Sequence, residues 1–242
     1  MTACAIMQPT YLPWAGFFNL IAASDVFVVL DDVQFRRASW HSRNRIVLGD
    51  SVNYLTVPVE RSGLHTKLSE ARVNYNRDWR RSHEGQLVQA YKHRPGGALV
   101  MEVVRSVFRT RPERLLDLNL GIIEAFCSLL NIQTQWMMAS DLGVKGQRSS
   151  RLISICVEVG AQNYLSPAGS ARYLEEDGFI NGGDVLLHLQ DFEPREYDQG
   201  HGGPFIPSMS IVDIVANIGP ESAAEYVSRP SFPSYEGGKK WQ

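Results

Sequence analysis

The chain has 242 residues, which suits one large domain, because domains commonly hold about 100 to 200 residues. Its 44% hydrophobic and 21% charged residues are ordinary for a globular protein with a sizeable core. A net charge of −2 excludes the bulk positive field of a nucleic-acid-binding protein, so no DNA partner is expected.

The cysteines and the apolar segments indicate the cellular location of the protein. Cys4, Cys127 and Cys156 form no CxxC pair, and an odd number gives no disulfide framework, so we expect buried thiols. No segment approaches the roughly 20 apolar residues that cross a bilayer. No basic leader precedes the short apolar start. We therefore predict a cytoplasmic protein with no membrane partner.

The first 30 residues read as a strand, a helix and a second strand. Ala3–Met7 and Val26–Leu30 are apolar runs, and Ala15–Ala23 has the apolar spacing of an amphipathic helix. A unit of this size is a right-handed crossover between parallel strands. We expect the two strands to be adjacent and parallel.

The remaining elements alternate in the same way. Residues 31–43 are polar and irregular, and Val52–Val59 alternates as an antiparallel strand does. Further helices are predicted at 79–91, 98–109, 115–130, 151–159, 171–175, 210–217 and 220–227, and further strands at 133–138, 163–165 and 185–189. The chain is therefore predicted to be an α/β protein. A single domain over residues 1–227 would hold a mainly parallel, Rossmann-like sheet flanked by helices, a small antiparallel element and a helical segment, followed by a polar tail at 228–242.

Polar residues follow the predicted strands. Gln8 to Gly16 leaves the first strand and opens the first helix, and Asp31 and Asp32 leave the second strand. In open α/β sheets ligands bind at these carboxyl ends. An aspartate there can hold Mg²⁺ beside a phosphate, orient an amine or act as a base. The alternatives are that Trp14 only fixes the helix entry and that the aspartates form a turn.

Two basic segments are candidate anion sites. Arg43 and Arg45 flank Asn44 and form a possible fork for phosphate or carboxylate. Lys145 lies in a glycine-flanked loop just before a predicted helix. A loop in this position can bind an anion, although the GxxxxGK[ST] pattern of a P-loop is missing. Surface ion pairing and a solvated loop are the alternative interpretations.

Two further segments complete the candidate set. His83 is four residues after Trp79 on one face of a predicted helix, and it is a candidate acid or base or else a structural histidine. Ser166 and Gly169 lie where a strand turns into a helix. The sequence contains no GxSxG, HExxH, CxxC or GxGxxG motif and no metal-ligand spacing of its histidines, which disfavours a zinc hydrolase and a dinucleotide oxidoreductase.

Six stretches together resemble the WbqC-like family of bacterial proteins, which is often associated with surface-polysaccharide and secondary-metabolite biosynthesis. They are MQPTYLPWAGFF, DVFVVLDDVQF, RNRI with Trp40 before it and YLTVPV after it, GVKGQRSSRLISIC, GAQNYLSPAGSARYL and FIPSMSIVDIVANIG. They are spread from Met7 to Gly219, so the resemblance covers nearly the whole chain. His41, Ser42, Pro167 and residues 93–97 depart from the family pattern, which bears on side-chain selectivity.

The opening strand, loop and helix also resemble HIGH-type nucleotidyltransferases and pantothenate synthetase in architecture. The His-x-Gly-His signature of those enzymes is missing, and Tyr11, Trp14 and Gly16 stand nearby instead. Adenylation by the usual route is therefore not expected.

The resemblance implies a biosynthetic transferase or ligase that forms an amide on a small amine, an amino sugar or an amino acid. The donor would be an activated acyl or aminoacyl group, carried on a nucleotide or a carrier-protein thioester; no cofactor or metal is assigned. Asp32 and His83 are the candidate bases, and the substrate-binding candidates are Gln8, Tyr11, Trp14, Gln34, Arg43, Asn44, Arg45, Lys145, Arg151, Ser166 and Gly169. The alternative is a non-catalytic partner that binds another enzyme of the pathway.

Overall fold

The fold is built on a five-stranded parallel sheet and a two-stranded antiparallel hairpin. A computed structural model describes residues 1–61, 63, 65–179, 185–228 and 232–235. The strands are β1 (Ala3–Met7), β2 (Val26–Val29), β3 (Arg43–Leu48), β4 (Ser51–Thr56), β5 (Gln135–Met138), β6 (Asn163–Ser166) and β7 (Leu186–Leu189). The helices are α1 (Ala15–Ala23), α2 (Trp79–Tyr91), α3 (Gly97–Thr110), α4 (Leu115–Leu129), α5 (Arg148–Glu158), α6 (Ala171–Glu176) and α7 (Ile211–Ser228).

The sheet order is β5-β2-β1-β6-β7, and every pairing in it is parallel. Cys4 pairs with Val26 and Met7 with Val29, so the two predicted strands are adjacent and parallel as expected. Strand β1 therefore occupies the centre of the sheet. The α/β fold with a mainly parallel sheet is confirmed.

Each face of the sheet is covered by its own apolar layer. Along β1, Ala5 belongs to the larger cluster, while Cys4 and Ile6 belong to the smaller one. Successive side chains of a strand point to opposite faces, so a strand buried on both sides reads as an unbroken apolar run. The helices of the larger layer are α1, α2, α3, α4 and α7, and those of the smaller one are α5 and α6. The three cysteines are buried.

The hairpin β3–β4 begins inside the segment that the sequence indicates to be irregular. Its inward face carries Asn44, Ile46 and Leu55, all buried, and its outward face carries Arg43 and Tyr54. The alternation of β3 was hidden because the inward residue Asn44 is polar. The small antiparallel element itself was predicted.

The last helix, α7, joins two predicted helices around a bend. Gly219 has a φ of 79°, and Pro220 follows it. Glycine adopts this left-handed backbone without strain, and proline is compatible with the first turn of the segment that follows. Most of the polar tail predicted at 228–242 lies outside the described residues. Within the described part of the chain, no helix is long and apolar enough to cross a membrane.

Candidate functional site

The carboxyl ends of β1, β2 and β6 open into a cleft of about 670 Å³. A volume of this size suits a small-molecule ligand. One wall comes from residues that follow β1 and β2, and the other from α5, β6 and the turn after β6. The polar side chains in the lining are those of Gln8, Thr10, Gln34, Arg36, Ser39, His41, Ser170, Tyr164 and Tyr173. The crevice therefore lies at the edge of the sheet that the sequence predicted.

Gln8 and His41 form a hydrogen-bonded pair in one wall of the cleft. His41 Nε2 lies 2.7 Å from Gln8 Oε1, and an amide oxygen can only accept, so the imidazole donates. The other ring nitrogen, Nδ1, accepts from the backbone N–H of Arg36 at 3.4 Å. Burial, with the nearby charge of Arg36 as a second cause, lowers the pKa of His41 to about 4. His41 is therefore neutral at pH 7, and the Gln8 amide group is turned so that its NH₂ is left for a ligand.

Arg36 is an exposed cation in the lining of the cleft. Its guanidinium makes no ion pair with the residues that the structure describes. The neighbouring Arg37, by contrast, donates to the carbonyl oxygen of Glu60 at 3.0 Å and does not line the cleft. Arg36 was not among the predicted residues, because an arginine in an aperiodic loop carries no positional signal.

The loop from Gln8 to Trp14 is held in place by buried polar contacts. The Tyr11 N–H donates to the Trp40 carbonyl at 2.9 Å, and Asn44 Nδ2 donates to the Tyr11 carbonyl at 3.0 Å. Asn119 on α4 donates to the carbonyls of Pro9 and His41 at 3.3 and 2.8 Å. These side chains fix the backbone that presents Gln8 and His41.

Gly16 is required where α1 begins. A Cβ atom at this position would overlap the indole ring of Trp14, so only glycine permits the ring to lie over the first turn. Trp14 in turn packs edge-on against Phe192, with ring centroids 5.6 Å apart. Trp14 therefore fixes the entry into α1, which is the structural role predicted as an alternative. It also lines a small pocket together with Phe17 and Trp40.

Asp32 lies at the border of the cleft in an ion pair with Arg151. The Arg151 Nη2 to Asp32 Oδ2 distance is 2.6 Å, and the two side chains are 18% and 21% exposed. Asp32 Oδ1 is buried and has no hydrogen-bond partner among the described residues. Leu30 and Val33, on either side of Asp32 in sequence, line the cleft, as does Leu152 beside Arg151. Asp31 points elsewhere, and its Oδ1 accepts from the Ser140 N–H at 3.0 Å.

Tyr11 and His83 lie in the core and outside the lining of the cleft. The Tyr11 hydroxyl is 2.9 Å from His83 Nδ1, and both side chains are buried. Trp79 and Phe108 surround the imidazole. Burial lowers the pKa of His83 to about 4. Tyr11, predicted to bind substrate, therefore does not line the cleft, because its side chain turns inward to pair with His83.

The structure also separates the arginine fork. Arg43 lies over the ring of Tyr54, 4.5 Å from its centroid, and Arg45 donates to the carbonyl oxygens of Pro207 and Ser208 at 3.2 and 3.3 Å. Asn44 points to the opposite face of β3. The three residues therefore do not converge on one anion.

The other predicted residues have different surroundings. Gln34 lines the cleft, while Gly169 is exposed between two lining residues, Pro167 and Ser170. Ser166 is fully buried beneath that turn. Lys145 is exposed outside the lining, in a loop that packs on the start of α5 at Gly146.

Residues that the sequence reasoning missed are mostly aromatic or in loops. Trp40, 48% exposed, and Tyr173 line the cleft, as do Ser39 and Ser170. Trp40 and His41 lie just before the basic segment Arg43–Arg45, and this proximity is the one signal that the sequence offers for them. In the described residues no group of three or more His, Cys, Asp or Glu side chains is placed to hold a metal ion.

Comparison with known proteins agrees with the resemblance of the six stretches. The uncharacterized protein Rv1507c of Mycobacterium tuberculosis is 31% identical over 225 residues, which span 92% of this chain and 96% of that protein. No solved structure matches the chain. The family model described as "WbqC-like protein family" matches residues 8–225. The chain therefore belongs to the WbqC-like protein family.

Proposed function

We propose that this protein is a biosynthetic transferase or ligase that forms an amide bond on a small amine bound in the cleft. The observation that carries the proposal is the cleft itself. At the carboxyl edge of a parallel sheet it brings together an arginine without an ion pair among the described residues, Arg36, and an amide donor held in position, Gln8. A cation and a neutral donor together suit a substrate that carries both an anionic group and a carbonyl.

The reaction is nucleophilic acyl substitution. The amine nitrogen attacks the activated carbonyl carbon, a C–N bond forms, and the C–S bond of a thioester or the C–O bond of an acyl phosphate breaks. The leaving thiolate or phosphate takes the electron pair, and the amine nitrogen loses one proton to a base. Arg36 holds the anionic part of the donor, while the Gln8 NH₂ donates to the carbonyl oxygen, where negative charge develops.

Asp32 is our proposed base. Arg151 fixes its Oδ2, and the unpartnered Oδ1 is left to accept a proton or a hydrogen bond. A buried acceptor without a partner costs free energy, and a substrate ammonium or amine that supplies a donor recovers it. His83 is left out of the proposal because its imidazole is enclosed by the core. His41 acts through Gln8 as a positioning residue.

The family supports the choice of an amine acceptor. Its association with surface-polysaccharide and secondary-metabolite biosynthesis fits an amino sugar or an amino acid as acceptor. The family association is the weaker support, since a shared fold does not specify a reaction.

The test is an acyl-transfer assay with matched arginine variants. The purified protein is mixed with glucosamine, a nucleotide-linked amino sugar or an amino acid, and with acetyl or glycyl thioesters, or with the free acid and ATP. Released thiol or phosphate and product mass are measured. We expect an amide product, and R36A should lower kcat/KM by roughly 10- to 150-fold, the equivalent of a lost charge-assisted hydrogen bond. R37A is the control and should match the wild type.

Equal rates for R36A and R37A, or no binding of any donor, would contradict the proposal.

One observation favours the alternative of a non-catalytic partner protein: Val52 and Tyr54 are 37% and 45% exposed on one face of β4, and Tyr54 stacks on Trp40. If the protein is such a partner, no combination of amine acceptor and acyl donor in the assay gives an amide product. The double variant V52S/Y54S would instead lose its stabilising effect on a co-expressed pathway enzyme.

A further inference from the structure

A second, smaller pocket of about 260 Å³ opens beside the cleft. The two spaces share Met7, Thr10 and Trp40 in their linings, so they adjoin each other at these residues. Trp40 stands at the junction. A substituent of a ligand bound in the cleft would therefore lie close to the side pocket.

The side pocket is lined mainly by apolar groups. Trp14 and Phe17 at the start of α1 join Met7 and Trp40 in its wall. Phe17 is 1% exposed and packs edge-on against Phe18 and Phe27, so this wall is fixed by the core. An apolar wall that is already rigid favours an apolar guest, because binding removes hydrocarbon surface from water at little ordering cost.

The polar side chains of the pocket are largely engaged with the protein. Asn44 donates to the Tyr11 carbonyl and accepts from the Arg45 N–H. Arg45 donates through Nε and Nη2 to backbone carbonyls at 207 and 208. The hydroxyls of Thr10 and Ser208 are the other polar groups in the lining, and both are neutral. A charged amine would find no anionic partner among these residues, which assigns the pocket to the donor and not to the acceptor.

We propose that the side pocket is the subsite for the hydrocarbon part of the acyl donor, so that preferred donors carry an apolar acyl chain or ring. This inference rests on the proposed function of the cleft and names its donor class. At roughly 30 Å³ per water-sized group, the volume corresponds to about eight or nine such groups, which is the size of a medium-length chain or a single aromatic ring.

The probes are straight-chain acyl thioesters of N-acetylcysteamine, from acetyl to decanoyl, titrated calorimetrically into the whole protein. Each methylene buried should tighten Kd about fourfold until the pocket is full, and longer chains should show a plateau. The variant S208N narrows the side pocket and leaves the lining residues of the cleft unchanged. Ser208 has a φ of 56°, and asparagine tolerates this left-handed backbone. In S208N the octanoyl Kd should rise about tenfold or more while the acetyl Kd stays unchanged.

The control is S106N, the same replacement on the exposed face of α3, which should give the wild-type series. Identical chain-length series in the wild type and S208N would overturn the subsite. Amide formation with equal kcat/KM for acetyl and octanoyl donors would also overturn the subsite and leave the proposed function intact. A chain-length series that S208N shortens, with no amide formed in any assay, would uphold the subsite and refute the proposed function.

Discussion

The imidazole of His41 donates from Nε2 to Gln8 Oε1 across 2.7 Å and thereby decides which end of the Gln8 amide faces the cleft. The same ring stacks on Phe35, with centroids 6.0 Å apart and planes 30° apart. Phenylalanine at position 41 would preserve the stacking and remove both hydrogen bonds of the ring, to Gln8 and from the Arg36 N–H. The two functions of His41 are therefore separable by mutation.

We predict that H41F lowers kcat about 2- to 13-fold, the range expected when the hydrogen bond that positions Gln8 is lost. The effect should appear in kcat more than in KM, because His41 positions Gln8, whose NH₂ donates to the oxygen on which negative charge develops in the transition state. Q8A should give a similar loss, and the H41F/Q8A double variant should be no worse than either single variant. Additive losses in the double variant would show that the two residues act separately.

Asp32 and Asp31 are adjacent but have different partners, which makes them a matched pair for testing the base. D32N should lower kcat by about 100-fold or more, the usual contribution of a general base. Binding should be retained because Arg151 still holds a side chain of the same shape. D31N keeps an amide oxygen for the Ser140 N–H and should stay within a few-fold of the wild type. Activity of D32N at the level of D31N would remove Asp32 from the mechanism.

Two buried histidines predict acid sensitivity. Burial lowers the pKa of His41 and of His83 to about 4, with the charge of Arg36 contributing at His41. Between pH 6.5 and 4 the unfolded chain binds these protons and the folded protein does not, so the free energy of unfolding falls as the pH falls. Together the two groups contribute up to about 2.7 kcal/mol per pH unit.

Urea unfolding at several pH values measures this slope. H83Q keeps a polar partner for the Tyr11 hydroxyl and should remove about half of the contribution, since glutamine does not titrate. S106N, a change on the exposed face of α3 that adds or removes no titratable group, should leave the slope as it is. An unchanged slope in H83Q would mean that His83 is not the source of the acid sensitivity.

Asp213 on α7 is a buried carboxylate that holds several elements together. It accepts from the hydroxyls of Tyr91 and Tyr197 at 2.7 and 2.6 Å, and from Gln199 Nε2 at 3.2 Å. D213A would leave these donors without their acceptor and should lower the free energy of unfolding by about 3 kcal/mol or more. D198A breaks an exposed ion pair with Arg94 and should lower the free energy of unfolding far less, because solvent screens that pair. If chemical denaturation gives similar losses in the free energy of unfolding for D213A and D198A, the structural role assigned to Asp213 is wrong.

The parts of the fold that sequence reasoning predicted are those governed by hydrophobic periodicity. The unbroken apolar runs at β1 and β2 are typical of strands covered on both faces, and their adjacency follows from the crossover between them. The position of Gln8 and Asp32 at one edge of the sheet follows from the same topology. Strand β3 was missed because its inward residue Asn44 is polar and bonds a loop carbonyl that only the folded chain provides.

The site was less predictable than the sheet. Tyr11 and His83 satisfy each other inside the core, and a partnership across 72 residues leaves no trace in local pattern. Arg36 and His41 reach the cleft from a loop without periodicity, so their orientation depends on contacts that the sequence alone does not specify. Side-chain direction in loops is set by tertiary contacts, which periodicity does not report.

The central place of β1 has a consequence for how the protein is made. One wall of the cleft is encoded by residues 6–41 and the other by residues 152–173, so the ribosome releases the two halves far apart in time. Until β6 emerges, β1 can pair only with β2 and exposes its other edge. An unpaired strand edge is a template for association with other chains. A nascent chain of this protein should therefore depend on chaperone protection until residue 166 has left the exit tunnel, and a C-terminal truncation before β6 should aggregate rather than yield a smaller binding domain.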